Sequence, residues 1–138
     1  MKRYEQIPHT ADIAARIYGK TVPELFENAA YAMFDMMGDL EGLGLDETAR
    51  VEVEAPDRES LLVSWLNELL YNSYSRQALF AEFRVLKLEE NRITAEAKGQ
   101  KLQKGTERLS SEIKAATYHD LEIKKTDSGY EVVIIFDV

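Results

Sequence analysis

Apolar and polar residues alternate with period two over residues 12–18 and 50–55, a pattern typical of half-buried β-strands. A further extended stretch, over residues 3–7, precedes them. The stretch over residues 50–55 stops at Pro56, which has no N–H group to donate to a neighbouring strand. The first part of the chain is therefore predicted to contain three strands.

Two later pairs of stretches lie close enough in sequence to form β-hairpins. Residues 83–88 and 93–97 are separated by a short polar turn, and residues 119–125 and 130–136 flank Asp127-Ser128-Gly129. Aspartate, serine and glycine are residues that tight turns favour. The pattern predicts two hairpins, one in the middle of the chain and one at its end.

Helical periodicity appears in two segments, each preceded by a capping residue. Thr21 and Glu24 form a capping box, with Pro23 in the first turn where proline is tolerated, and predict a helix over residues 22–37. Asp57 caps the second helix. The apolar stripe of that helix consists of Leu61, Leu62, Trp65, Leu66, Leu69, Leu70 and Tyr74. Its width indicates the central helix of the core.

The order of the elements decides the fold class. It is β-β-α-β-α-β-β-(α)-β-β, in which the bracketed element is a short helix over residues 106–114. This order lacks the regular alternation of strand and helix that produces a doubly wound parallel sheet. We expect a two-layer α+β fold, in which two main helices pack on a mainly antiparallel or mixed β-sheet. At 138 residues, the chain is expected to form a single domain over residues 1–138.

Composition and charge narrow the function classes. The chain has no cysteine, which excludes disulfides, thiolate catalysis and cysteine-held metals. Its net charge of -8 disfavours direct binding to nucleic acid, and suits either a basic protein partner, a cation or mere solubility. No apolar stretch approaches the roughly 18 residues of a membrane span, so we expect a cytoplasmic protein that does not contact membranes.

Acidic groups close to the end of the chain form the first candidate site. The segment EVVIIFDV contains five consecutive apolar residues, and predicts a strand that is covered on both faces. Such a strand would hold Asp137 and the α-carboxylate of Val138 close together. Because like charges at short range repel, this arrangement needs a metal ion or a lysine as a partner.

Asp12 is the second candidate, at the start of a predicted strand. If that strand neighbours the last one, Asp12, Asp137 and the Val138 carboxylate converge at one end of a sheet. An all-oxygen site of this kind suits calcium first, with magnesium or manganese as alternatives. The residue types alone leave a second interpretation open, in which Asp12 caps a turn and Asp137 is simply solvated.

The remaining candidates carry weaker signals. His9 and His119 are the only histidines, and their spacing matches no zinc motif. Lys114 is a surface lysine by its surroundings, although a cation near an acidic cluster could balance its charge. No nucleophile elbow, phosphate-binding glycine loop or nucleic-acid module is present, so we expect a protein that is not an enzyme.

Four segments, in the same order and at compatible spacing, resemble the archease family. They are HTADI, LLVSWLNELLY, KAATYHDLEI and the final FDV, and the similarity extends from Pro8 to Val138. The resemblance implies an archease-like α+β fold. One departure is Ala14, since many members have glycine at that position, and alanine enters positive-φ conformations less easily.

The resemblance also implies a function and a ligand set. Members are accessory proteins that activate the GTP-dependent, tRNA-splicing RNA ligase by promoting guanylylation of its histidine and multiple turnover. An effect on which nucleotide the ligase accepts is also implied. Calcium is held by the residues that match Asp12, Asp137 and Val138 here. The lysine implicated in activation matches Lys114.

Two rival functions follow from the residues without the resemblance. A metal-dependent phosphoesterase would use Asp12 and Asp137 as ligands, with His9 or His119 as acid or base. A chaperone-like adaptor of RNA-modifying enzymes is the other rival. A version of that adaptor that binds RNA is disfavoured by the net charge and by the lack of an aromatic and basic platform.

Overall fold

The computed structural model describes residues 2–8, 12–103 and 109–138. Within these ranges the chain forms two helices and eight strands. In chain order they are β1 Tyr4–Ile7, β2 Ile13–Gly19, α1 Val22–Met37, β3 Glu47–Glu54, α2 Arg58–Arg76, β4 Ala78–Leu88, β5 Arg92–Lys101, β6 Ala115–Ala116, β7 Lys124–Thr126 and β8 Gly129–Asp137. Neither helix is long and apolar enough to cross a membrane.

The strands are divided between two sheets. One sheet has five strands in the order β1-β2-β8-β6, with β7 also paired to β8, and the other has three in the order β3-β5-β4. Every strand pair among the described residues is antiparallel. The expected α+β class is confirmed, with all of its pairing antiparallel.

The two helices begin where their capping residues predict. The Thr21 hydroxyl accepts a hydrogen bond from the Glu24 N–H at 3.2 Å, and the Asp57 carboxylate accepts one from the Ser60 N–H at 2.8 Å. Each bond satisfies an N–H group that has no partner inside its helix. The second helix ends at Gln77, whose φ of 52° is left-handed and stops the helical path.

The core lies between the helices and the inner faces of the two sheets. Trp65 of α2 is fully buried, and its ring N–H donates to the Phe26 carbonyl oxygen of α1 at 3.0 Å. Phe34 of α1 meets Phe80 of β4 edge to face, with ring centroids 5.8 Å apart. These contacts join both helices and the three-stranded sheet into one apolar cluster.

The middle hairpin, β4 with β5, is confirmed, and it is irregular. Its register shifts between Phe80 and Glu82 and again between Val85 and Lys87. Beside the second shift, the Val85 N–H donates to the carboxylate of Glu27 on α1 at 2.9 Å. A helix side chain thus satisfies a backbone donor of this edge strand.

The predicted short helix over residues 106–114 is wrong for the part that the structure describes. Residues 109–114 contain no helix. Leu109 instead forms an isolated bridge with Gly38, and Ile113 is fully buried. The backbone N–H groups of residues 110 and 111 donate to the Met37 carbonyl oxygen, so their hydrogen bonds go to the end of α1. Residues 104–108 lie outside the described ranges.

The terminal hairpin is confirmed, and it is shorter than predicted on its first side. The pairing of β7 with β8 covers only Lys124 to Thr126, and residues 119–123 belong to no strand. The Leu121 N–H donates to the Tyr118 carbonyl oxygen at 3.1 Å, and Asp120 has a φ of 51°. This tight turn uses the residues that were expected to lengthen the strand.

The expectation that the last strand is covered on both faces is wrong. Val132, Ile134 and Phe136 of β8 are buried, whereas Val133 and Ile135 on the opposite face are only partly buried. The helices pack with the first set in the core cluster. The apolar run therefore reflects one core face and one half-covered face.

Candidate metal centre

The pairing of β2 with β8 decides where the two candidate aspartates lie. These strands are antiparallel, with Ile13 opposite Phe136 and Gly19 opposite Tyr130. Asp12 immediately precedes β2, and Asp137 is the last residue of β8, so both lie at the end of the ladder that the Ile13 and Phe136 pair closes. The structure thus brings the early and the late aspartate to the same end of the five-stranded sheet.

A second neighbour lies on the other side of β8. Ala115 and Ala116 of β6 are opposite Asp137 and Phe136. The Lys114 N–H donates to the Asp137 carbonyl oxygen at 2.7 Å, so Lys114 lies directly beside Asp137. The β8 strand lies between β2 and β6 and extends to Asp137, and Val138 follows Asp137 directly.

Asn67 of α2 fixes β6 in this place, and its role could not be read from periodicity. Its side-chain oxygen accepts from the Ala116 N–H at 2.8 Å, and its side-chain N–H donates to the Ala116 carbonyl oxygen at 3.2 Å. The amide therefore pairs with the outer edge of β6 as a further strand would. The only signal in the sequence is an asparagine beside Leu66 in the apolar stripe, where a polar side chain of low helix propensity needs a reason.

Acidic side chains elsewhere on this sheet have nearby partners. Arg16 forms ion pairs with Glu5 at 3.4 Å and with Glu131 at 3.5 Å. Hydrogen bonds from Lys2 and then from Tyr18 lower the pKa of the Glu5 carboxyl below its usual value. Burial, followed by the hydrogen bond to a carboxylate on α1, raises the pKa of the Tyr4 hydroxyl.

Asp137 differs from these residues. Across residues 2–8, 12–103 and 109–138, no basic side chain forms an ion pair with its carboxylate, which is exposed. A cation bound at this end of the sheet would offset the negative charge of the Asp137 carboxylate.

The donor set fits a hard cation. Within the described part of the chain, no three side chains of histidine, cysteine, aspartate or glutamate are grouped to hold a metal ion. A site here would consequently use the two aspartate side chains and complete its shell with other oxygens, such as the Val138 carboxylate. Calcium accepts irregular sets of carboxylate and carbonyl oxygens, whereas zinc sites require more nitrogen or sulfur donors.

The two histidines are not brought into this centre by any described contact. His9 lies outside the described residues. His119 lies on an exposed turn after β6, where its ring nitrogen is 3.3 Å from the Asp120 carboxylate. The side chain of Lys114 is exposed and forms no ion pair with another described residue. Lys114 immediately precedes β6.

Comparison with known proteins adds a family. The model of the Archease protein family matches residues 4–138. Protein archease of Methanosarcina barkeri is 43% identical over 99% of this chain and 97% of its own length. Protein archease of Archaeoglobus fulgidus is 38% identical over 99% of each.

Solved structures agree with this match. The solution structure of protein 1598 from Methanobacterium thermoautotrophicum has a TM-score of 0.83 at 35% identity, and the match covers 100% of both chains. The crystal structure of an archease and possible chaperone from Thermotoga maritima has a TM-score of 0.65 over 97% of this chain and 96% of its own. At 24% identity, this second likeness concerns the fold. The chain therefore belongs to the archease family.

Proposed function

We propose that the protein is a calcium-binding accessory factor that activates the tRNA-splicing RNA ligase by promoting guanylylation of the ligase and its multiple turnover. Membership of the archease family supports the general role. The observation that supports the specific role is the antiparallel pairing of β2 with β8, because Asp12 and Asp137 adjoin the same end of that pair. A broader choice of nucleotide by the ligase belongs to the same proposal.

The proposed calcium ligands are Asp12, Asp137 and the carboxylate of Val138. Bound calcium would supply positive charge that offsets these carboxylates and would present a cationic surface to phosphate groups. Asp12 and Asp137 hold the ion from adjacent strands. Their separation is controlled by the β2 and β8 ladder, which extends over seven residue pairs. This rigid support keeps the site in one geometry before a partner arrives.

Lys114 is the proposed activating side chain. The hydrogen bond from its N–H to Asp137 holds its backbone beside the metal ligands, while its side chain is exposed. A lysine ammonium can stabilise phosphate charge as guanylylation proceeds in the partner. We therefore assign Lys114 to contact with the ligase or its nucleotide, and not to metal binding.

The test is a guanylylation assay of the cognate ligase with labelled GTP, with and without this protein. Asp137→Asn should abolish calcium binding, measured by titration calorimetry, and lower the guanylylation rate towards that of the ligase alone. Asp127→Asn is the matched control, because Asp127 lies in the turn before β8, at the opposite end of that strand. It should preserve both properties.

Three outcomes would contradict the proposal. Activation by Asp137→Asn protein that has lost calcium would separate metal binding from activation. A ligase that is guanylylated equally well without the protein would remove the accessory role. Turnover of phosphoesters by the protein alone, lost in Asp12→Asn, would establish the phosphoesterase instead.

A further inference from the structure

Exposed apolar and aromatic side chains are concentrated on one part of the surface. Among the described residues, seven large ones are exposed: Leu45, Tyr71, Tyr74, Leu86, Leu109, Tyr118 and Val138. Five of them lie on α2, on the segments that flank β6, or at the end of β8. Tyr71 is the most exposed of the seven, at 67%.

Hydrogen bonds show that these elements are adjacent. The Tyr74 hydroxyl donates to the Ile113 carbonyl oxygen, one residue before Lys114. Asn67, on the same helix, binds both backbone groups of Ala116. Residues 67, 71 and 74 share one helix face, because positions four and seven apart fall nearly above one another. Tyr71 therefore lies between two contacts of α2 with residues 113–116, the segment that includes Lys114.

Leu109 extends the same surface. It lines a shallow groove of about 310 Å³ together with Tyr74 and residues 110–112. Tyr71, Tyr74 and Leu109 are called the tyrosine face below. This face borders the candidate metal centre, and none of its members takes part in the proposed metal binding.

The tyrosine face has an acidic border. Glu68 precedes Tyr71 by three positions on α2, and Glu112 lines the groove with Tyr74. Partial burial is the main cause that raises the pKa of the Tyr74 hydroxyl, and the charge of Glu112 adds to it. Neither of these two carboxylates forms an ion pair with a described residue.

We propose that the tyrosine face is the docking surface for a positively charged surface of the RNA ligase. This inference rests on the proposed function and names a second, separate element of it. An enzyme that joins RNA ends must present lysine and arginine side chains to phosphates, and the unpaired carboxylates around the tyrosine face complement such a surface. Tyrosines provide large contact area with little loss of side-chain freedom, and often dominate the affinity of interfaces.

The proposal separates affinity from activation. Tyr71, its neighbours and the acidic border supply binding to the ligase, whereas Lys114 and the proposed metal centre act on guanylylation. Loss of a tyrosine contact should consequently be overcome by adding more protein. Loss of the metal centre should persist at saturation.

The direct test is Tyr71→Ala, with Leu86→Ala as the control, since Leu86 is also exposed but lies on β4 of the other sheet. Tyr71 makes no hydrogen bond that the substitution would break among the described residues. Binding to the immobilised ligase should weaken at least tenfold for Tyr71→Ala and remain unchanged for Leu86→Ala. Calcium affinity should stay the same, and the guanylylation rate at saturating protein should equal that of the wild type.

Two charge-reversal variants, one at the acidic border and one away from it, test the role of the border. Glu112→Lys should weaken ligase binding, and the difference from wild type should shrink as salt rises, because salt screens exposed charges. Glu82→Lys changes the net charge equally on an exposed part of β4 and should bind normally.

Wild-type affinity for the ligase in Tyr71→Ala protein would overturn the docking surface while leaving the proposed function intact. If Tyr71→Ala converted a wild-type dimer to a monomer in sedimentation and still bound the ligase, the face would be assigned to self-association. Salt-sensitive binding of tRNA to this face in the absence of ligase would assign it to RNA. A wild-type protein that neither binds nor activates the ligase would overturn the proposed function and this inference together.

Discussion

The two hydrogen bonds between Asn67 and Ala116 make a sharp prediction about how the end of the chain is held. Asn67→Ala removes both hydrogen bonds that the Asn67 side chain makes with the Ala116 backbone. Ala116 is only 4% exposed. The strand β6 then keeps β8 on one side and has no partner on the other. Its pairing with Asp137, and with it the position of Lys114, should loosen.

The magnitude follows from the two bonds. Each contributes about 1 kcal/mol net, and leaving the buried backbone groups unpaired adds to this loss. Alanine recovers about 0.6 kcal/mol of helix propensity relative to asparagine. The expected destabilisation is therefore about 2 kcal/mol, which corresponds to a fall in melting temperature of roughly 6–8 °C for a chain of this size.

Asn72→Ala is the matched control on the same helix. The Asn72 side chain donates to the Glu68 carbonyl oxygen within its own helix and accepts from Arg76, so it anchors no strand. Its substitution should leave stability nearly unchanged. Urea unfolding measures the global effect, and hydrogen exchange at the Ala116 amide measures the local one. Equal stability of the two variants, with the Ala116 amide still protected, would refute the role assigned to Asn67.

Three further outcomes are expected. The hydrogen bond from the Ser60 N–H holds the pKa of the Asp57 carboxyl below its usual value. This cap therefore stabilises the fold fully at pH values above the unfolded-state pKa of the carboxyl. The stabilisation is lost as the pH falls through the lower, folded-state pKa. Asparagine also caps helices but does not titrate. The free energy of unfolding of Asp57→Asn, measured in urea, should therefore fall less than that of the wild type as the pH is lowered. Gly99→Ala should cost about 3 kcal/mol in the same assay, because its Cβ would overlap the Leu79 carbonyl oxygen. Calcium at about one hundred times its Kd should stabilise the wild type by about 2.7 kcal/mol. Scanning calorimetry should show that a chelator reverses this gain, and that Asp137→Asn lacks it.

Local sequence signals were sufficient for the helices and most strands. The capping box at Thr21 and the end at Gly38 predicted α1 with the bounds that the structure has. The strands predicted over residues 3–7, 12–18 and 50–55 correspond to β1, β2 and β3, with ends shifted by a few residues. Signals of this kind depend on neighbours in sequence, which is why periodicity detects them.

Tertiary features were harder to predict from the same residues. The division of the strands into two sheets depends on which strands meet, and no local pattern encodes that choice. Residues 109–114 resembled a helix end, yet their hydrogen bonds are made with Met37 at the end of α1. The two-residue strand β6 is too short to show alternation and owes its place to Asn67.

The candidate site also combines features that local sequence could predict with features that depend on tertiary structure. Asp137 and Val138 are neighbours in sequence, so their proximity needed no structure. The approach of Asp12 depended on an assumption about strand order, and the pairing of β2 with β8 satisfies it. The resemblance to archeases pointed to Lys114 as the activating lysine, but its position beside Asp137 was not predicted, because β6 could not be. The binding of calcium stays a prediction.

Glu27 also bears on how the protein resists aggregation. Unpaired N–H groups along a sheet border can recruit a strand from another molecule, and such recruitment is the first step of runaway polymerisation. The β4 strand is one border of the three-stranded sheet, and the carboxylate of Glu27 occupies its Val85 donor. An incoming strand would have to displace a charged acceptor that is anchored to a helix. That border is thereby kept closed to intermolecular growth at the point where the ladder is already interrupted.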